Sequence, residues 1–279
     1  MRALTLTLVA CAAFGCSSSA APTSSSSSST ASSTSHAASA APAPSAASAA
    51  SAAPASPPAA VDLFDVPGGK VVLHPVHHAT LYLEAPGFTI WVDPTSEGHL
   101  EGTPKADLVL VTDVHGDHLD PKAIALVKKD DAKVVGPKVI EPDVPGLTVL
   151  ANGAELTVGP VEISAVPMYN LKRGPSAGKL FHDKGRGNGY VLTIGGKRIY
   201  LSGDTECTPE MKSLKDIDVA FVCMNLPYTM PPSEAAECVA TFKPKVLIPY
   251  HYRDSNLGDL DAPLAGKGVE VRKIDFYPR

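Results

Sequence analysis

The sequence predicts a chain of the α/β class in which two stacked sheets are flanked by helices. Short apolar runs rich in β-branched residues recur from about residue 71 to residue 274, each of strand length and most bounded by turn residues. Only three segments between them have helical character, and each opens on a proline, whose missing N–H costs nothing in a first helical turn. The stretch 61–279 suits one domain large enough to bury a substantial core.

In chain order the predicted strands cover 71–73, 81–83, 89–92, 108–111, 133–135 and 147–150. They continue with 161–166, 190–194, 198–201, 219–222, 246–249 and 269–274. Ile194-Gly-Gly-Lys197 lies between two of these runs and predicts a tight hairpin. The predicted helices cover 121–129, 209–214 and 232–242, with Ser233 and Glu234 supplying N-terminal cap chemistry to the last.

Ahead of the domain, residues 1–15 carry one positive charge, Arg2, and then an apolar run too short to span a bilayer, the pattern of a secretory leader. Ala13-Phe-Gly-Cys16 reads as a lipoprotein cleavage box, with Cys16 as the lipidated first residue; Leu8-Val-Ala-Cys11 fits less well, leaving a very short apolar core. Residues 16–60 are Ser/Ala/Pro-rich and uncharged, too poor in burial to offset ordering entropy, and predict a flexible tether. The expected placement is therefore the cell envelope, anchored to the outer membrane or facing the periplasm, with membrane contact through the lipid alone.

The chain carries 24 Lys and Arg against 29 Asp and Glu; removing Arg2 with the leader leaves 23 against 29, a formal charge of −6. That balance offers no basic stripe for nucleic acid. Lys172, Arg173, Lys179, Lys184 and Arg186 form one local basic loop, suited to a phosphate or carboxylate. Of the domain's three cysteines, Cys223 ends an apolar run and reads as core. The sequence leaves open whether Cys207 and Cys238 pair, and it leaves the oligomeric state open as well.

The most informative stretch is Thr112-Asp-Val-His-Gly-Asp-His-Leu-Asp120, directly after a predicted strand. Asp113, His115, Asp117 and His118 fall within six residues, all of them good ligands for a borderline metal. A loop leaving a strand end points alternate side chains into one pocket, and Gly116 is expected to let the backbone turn sharply. Asp204 in Gly203-Asp-Thr205 and His251 in Pro249-Tyr-His-Tyr252 likewise follow apolar runs.

These residues resemble the metallo-β-lactamase superfamily, whose signature is His-x-His-x-Asp-His after a core strand. Here Asp113 stands where the first histidine would be. The segments 78–84 and 89–94 are similar to the branch that includes L-ascorbate-6-phosphate lactonase-like proteins and the phospholipase D acting on N-acyl phosphatidylethanolamine. The resemblance implies an αββα sandwich with its site along the strand-end edge. It implies one metal held by Asp117, His118, His251 and the bridging Asp204. A second would take Asp113, His115 and a histidine from mid-chain. The usual mid-chain position falls at Tyr169-Asn170, which offers no histidine, so His182 is the candidate third ligand. Otherwise the site is mononuclear. An aspartate ligand shifts preference from Zn towards Mn or Fe. His78, Tyr169, Asn170 and Tyr228 are expected to support the metals or touch substrate.

The resemblance implies a metal-dependent hydrolase in which a metal-bound hydroxide attacks an ester, lactone or phosphodiester, expected to be anionic, with Asp117 and Asp204 at the catalytic centre. No Gly-x-Ser-x-Gly elbow or dinucleotide-binding glycine motif is present. The alternative is a non-catalytic metal- or ligand-binding lipoprotein that has kept the hydrolase fold.

Overall fold

The computed structural model describes residues 59–277. The expectations for the leader, Cys16 and the tether up to residue 58 concern residues outside that range. Two seven-stranded sheets are built to the same plan. In the first, β1 (Val61–Val66), β2 (Gly69–His77), β3 (Thr80–Ala85) and β4 (Phe88–Val92) pair antiparallel in succession. β5 (Ala106–Leu110), β6 (Lys128–Gly136) and β7 (Thr148–Val149) then join in parallel. The second sheet repeats this, with β8 (Glu155–Val158), β9 (Val161–Met168), β10 (Gly187–Ile194) and β11 (Lys197–Leu201) antiparallel. β12 (Val219–Cys223), β13 (Val246–Tyr250) and β14 (Glu270–Val271) complete it in parallel.

Three apolar layers hold the sandwich. Leu73, Leu81, Leu83, Ile90, Leu108 and Leu110 of the first sheet meet Leu192, Leu201, Phe221 and Ile248 of the second, all nearly or fully buried. Outside the first sheet, Ile124 and Val127 of α1 (Pro121–Val127) cover Trp91 and Val109. Outside the second, Val239 and Phe242 of α3 (Pro232–Phe242) cover Tyr200 and Leu247. Each such side chain contributes roughly 1.5–3 kcal/mol on burial. Trp91, the chain's one tryptophan, is fully buried, and its Nε1 donates to the Pro104 carbonyl at 3.0 Å. The αββα architecture is as the sequence predicts.

Several details differ. α1 stops at Val127 because Lys128 is already extended and pairs with Ala106 in β6. The second helix, α2 (Pro209–Lys212), is a single turn capped by the Thr208 hydroxyl. Ser233 does not cap α3, whose N-cap position is Pro231; Glu234 spends its carboxylate on Arg173 instead. β14 is two residues long where a longer strand was expected, while β1 and β8 carry no strong apolar signal of their own. A one-turn helix, α4 (Asp261–Leu264), was also not expected.

The parallel halves of the sheets decide where chemistry can sit. β4, β5, β11, β12 and β13 release the chain at one edge, where backbone groups are free of the ladder and side chains can converge. Asp93, Asp113, Asp204, Asn225 and His251 follow those strand ends. The two sheets are tied there by the Tyr190 hydroxyl, which donates to the Val111 carbonyl at 2.7 Å.

Candidate metal centre

Backbone strain is concentrated at this edge. His78, Asp93, His251 and Arg253 all have left-handed φ, at 56°, 45°, 49° and 43°. Such conformations cost a non-glycine residue energy and persist only where the surroundings impose them. Gly203 needs its glycine: with φ of 59°, a Cβ there would stand 2.5 Å from the Met168 sulfur. Gly116 does not have a left-handed φ. The ligand loop is closed instead by the His118 and Leu119 N–H groups, both donating to the His115 carbonyl at 2.9 Å.

Asp204 lies at the middle of the cluster and is almost fully buried. His251 Nε2 is 3.0 Å from its Oδ1, and His118 Nε2 is 3.5 Å from its Oδ2. Asp117 closes this group, with Oδ1 3.9 Å from His118 Nε2 and Oδ2 3.8 Å from His251 Nε2. His182 Nε2 approaches the same Asp204 Oδ2 at 3.3 Å and is 3.8 Å from Asp113 Oδ2. His115 Nδ1 is 3.0 Å from that same Asp113 oxygen. The two groups therefore share Asp204, and the loop histidine His182 is delivered to the second of them.

The donor set fits metal ions. His118 Nε2, His182 Nε2 and Asp204 Oδ1 are buried and make no hydrogen bond, which leaves their lone pairs available to an ion. Atoms 3.0–3.9 Å apart are spaced like the edges of a tetrahedron around an ion with bonds of roughly 2.0–2.1 Å. Asp113, His115 and His182 form a second converging triad, and His78, Asp117 and His251 a further one.

Supporting groups hold the donors in place. Asp93, wholly buried, accepts from His118 Nδ1 at 2.8 Å, the Thr112 hydroxyl at 2.6 Å and the Thr112 N–H at 2.7 Å. This leaves His118 Nε2 facing the centre. Asn170 does the same for His182, its Oδ1 lying 2.7 Å from Nδ1 and 2.8 Å from the backbone N. Buried Glu206 accepts the N–H groups of Leu171, Lys172 and Arg173, pinning the start of the loop that carries His182. A disulfide between Cys207 and Cys238 ties the next residue to α3. His78 Nε2 is 3.2 Å from Asp117 Oδ2 and its Nδ1 is 2.6 Å from the Tyr277 hydroxyl.

Electrostatics agree with these positions. Burial pulls the His78 imidazole down to about 4, so it supports Asp117 as a neutral ring. Burial alone would raise the Asp113 carboxyl, but the His115 hydrogen bond and the His118, Arg186 and His182 charges hold it at about 2. Asp204 is likewise held well below the ordinary carboxylate range, the adjacent His251 and His118 outweighing its burial. The Cys223 thiol is pushed up to about 12 by burial, which makes it an inert core group.

Two expectations need correction. Tyr169 does not offer its oxygen to the donor cluster: its hydroxyl donates to Glu210 at 2.9 Å, and its backbone N–H bonds the Thr205 hydroxyl. The basic loop is not a free anion receptor either. Lys172 and Arg173 pair with Glu234, Lys184 with Glu210, and Arg186 with Asp113, while Lys179 has no ion-pair partner among the described residues. Tyr228 is part-exposed, edge-on to Phe181 at 5.0 Å and beneath Arg253 at 6.0 Å. Sequence reasoning missed Asp93, although it follows an apolar run just as Asp113, Asp204 and His251 do. Glu206 and Tyr277 carried no local signal, and Arg186 stood out only as one member of the basic loop.

An αββα sandwich with His and Asp donors converging at its strand-end edge is the metallo-β-lactamase architecture. The β-lactamase superfamily domain model matches residues 73–251. A UPF0173 metal-dependent hydrolase of Thermococcus onnurineus is 31% identical over 198 residues, covering 66% of this chain and 84% of that protein. Another, from Methanopyrus kandleri, is 32% identical over 192 residues, covering 63% and 81%. A solved structure from Parabacteroides distasonis, described as a candidate metal-dependent hydrolase, has a TM-score of 0.73 and 41% identity, covering 77% of this chain and 97% of that one. The chain belongs to the β-lactamase superfamily domain family, and within it to the UPF0173 metal-dependent hydrolases.

Proposed function

We propose that this domain hydrolyses an ester, lactone or phosphodiester with two divalent ions held side by side. Asp117, His118 and His251 hold one; Asp113, His115 and His182 hold the other; Asp204 is shared. The observation that carries this reading is the placement of His182, whose Nε2 lies 3.3 Å from Asp204 Oδ2, the oxygen that His118 Nε2 approaches at 3.5 Å, and which also converges with Asp113 and His115. A bound metal pair supplies an activated water and polarises the substrate oxygen. Asp204, between the two triads, is the group placed to orient that water and take its proton. Asp117, a quarter exposed and backed by His78, is the carboxylate turned towards solvent. The complete second triad favours this over a non-catalytic binding protein.

Lactone and phosphodiester substrates are drawn from the likeness of segments 78–84 and 89–94 to the lactonase and phospholipase D branch. With four of the five basic loop residues paired, a preference for anionic substrates rests on Arg253, whose side chain is half exposed beside Asp117 and Tyr228, and on Lys179. A cleft of about 780 Å³ opens beside Arg253, lined by His77, His78, Tyr252 and Tyr277 and also by the carboxylates of Glu97, Asp254 and Asp275, so Arg253 is its one Lys or Arg side chain. The ion is Zn, Mn or Fe, the aspartate at position 113 favouring the harder ions. Metal analysis combined with an ester, lactone and phosphodiester panel tests the reading. Turnover that disappears in His251→Ala and Asp204→Ala, with bound metal lowered, is expected. Undiminished metal and turnover in either variant contradicts it.

The same proposal places the protein on an envelope membrane through lipid on Cys16, with the Ala13-Phe-Gly-Cys16 box and the Cys207–Cys238 disulfide as support. Fatty-acid labelling that is lost in Cys16→Ser but kept in Cys11→Ser is the expected result. Label persisting in Cys16→Ser refutes it.

A further inference from the structure

The sequence departs from the family signature at Asp113, and the structure gives that aspartate a dedicated partner. Asp113 is fully buried at the end of β5. Arg186, far along the chain, meets it fork to fork: Nε donates to Oδ1 at 3.0 Å and Nη2 to Oδ2 at 2.7 Å. The remaining arm of the same guanidinium, Nη1, donates to the Phe181 carbonyl at 2.9 Å. Phe181 directly precedes His182. One rigid, planar group therefore grips two of the three donor carriers of the second triad, Asp113 and the loop that presents His182.

We propose that Arg186 is a positioning residue for the second metal: it fixes the Asp113 carboxylate with Oδ2 towards His115 and His182 and holds the His182 loop against it. An aspartate is shorter than a histidine and rotates about its last bond, so as a ligand it needs an outside clamp to present one chosen oxygen. A histidine at this position would be held through its second ring nitrogen, as Asp93 holds His118, and a carboxylate has no such second nitrogen. The guanidinium also offsets the negative charge that aspartate adds relative to a neutral imidazole. Lysine is no substitute, because a single ammonium cannot make the fork and the Phe181 bond together. The inference rests on the two-metal reading above.

The test is calorimetric titration of metal-free wild type and Arg186→Lys with Zn²⁺ and with Mn²⁺, resolving the first and second equivalents. Lysine keeps the charge, so the comparison isolates geometry from Coulomb effects. Loss of a supporting contact to a ligand typically costs 10–100-fold in metal affinity. Arg186→Lys should therefore weaken the second equivalent by about 10–100-fold. The first equivalent, held by Asp117, His118 and His251, should be unchanged within about threefold. A merely structural role would weaken both equivalents together, and that result overturns the proposal, as does an unchanged second equivalent. Wild type that takes up fewer than two ions overturns the two-metal reading and this inference with it.

Discussion

Asp93→Asn replaces one oxygen of a buried acceptor with an NH2 while preserving its shape. In the wild type three donors converge on the carboxylate: the Thr112 N–H on Oδ1, and the Thr112 hydroxyl and His118 Nδ1 on Oδ2. The asparagine oxygen must serve the Thr112 N–H, since that backbone donor cannot turn away. The new NH2 then faces His118 Nδ1, and two donors cannot share the contact. The relief available is for His118 to move its proton to Nε2, which removes the lone pair that faces Asp204 and the first metal. Loss of such a supporting contact costs roughly 10–100-fold in metal affinity, or about 1.4–2.8 kcal/mol. The metal-free fold should lose about 1–3 kcal/mol as well, for a buried donor left unmatched. Metal titration and denaturant unfolding of the two proteins measure both quantities. Wild-type metal affinity in Asp93→Asn would refute the role assigned to the Asp93–His118 contact.

Three further outcomes are expected. His182→Ala should lower bound metal from about two ions to about one per chain and reduce turnover by orders of magnitude, since one ion clamps the reacting oxygens less well than two; elemental analysis showing two ions contradicts this. The Arg173 fork holds the Glu234 carboxyl below its ordinary 4.5, so its stabilising effect is present above that value and fades as pH falls through the lower folded value. Wild type should therefore melt above Glu234→Gln at neutral pH and converge with it in acid, and a gap that widens in acid would be inconsistent. Cys207→Ser/Cys238→Ser opens a link across 31 residues and should cost about 3–4 kcal/mol in denaturant unfolding; no measurable loss would count against a stabilising role for the link.

What could be read from the sequence followed physical locality. Asp113, His115, Asp117 and His118 share one short loop, so their convergence was visible without the fold. Asp204 and His251 were legible because each directly follows a buried strand. The strands themselves stood out where both faces are buried, as in β12 and β13. They were missed where a strand edges the sheet and alternates exposure, as in β1 and β8. His182 could be suspected only from the gap at Tyr169-Asn170, and its delivery depends on Asn170 and Glu206, which act across a long loop. The basic loop looked free because its acidic partners, Glu210, Glu234 and Asp113, are distant in sequence. Tyr169 was misplaced for the same reason: its direction is set by Thr205 and Glu210.

The most direct test of the two-metal centre is a crystal structure of the protein grown with Mn²⁺ or Zn²⁺, with the ions located by anomalous scattering. Two peaks roughly 3.5–4 Å apart, flanking Asp204, with His182 Nε2 on one and His118 Nε2 on the other, are the expected result. A single peak among Asp117, His118 and His251, with His182 clear of any ion, would contradict it.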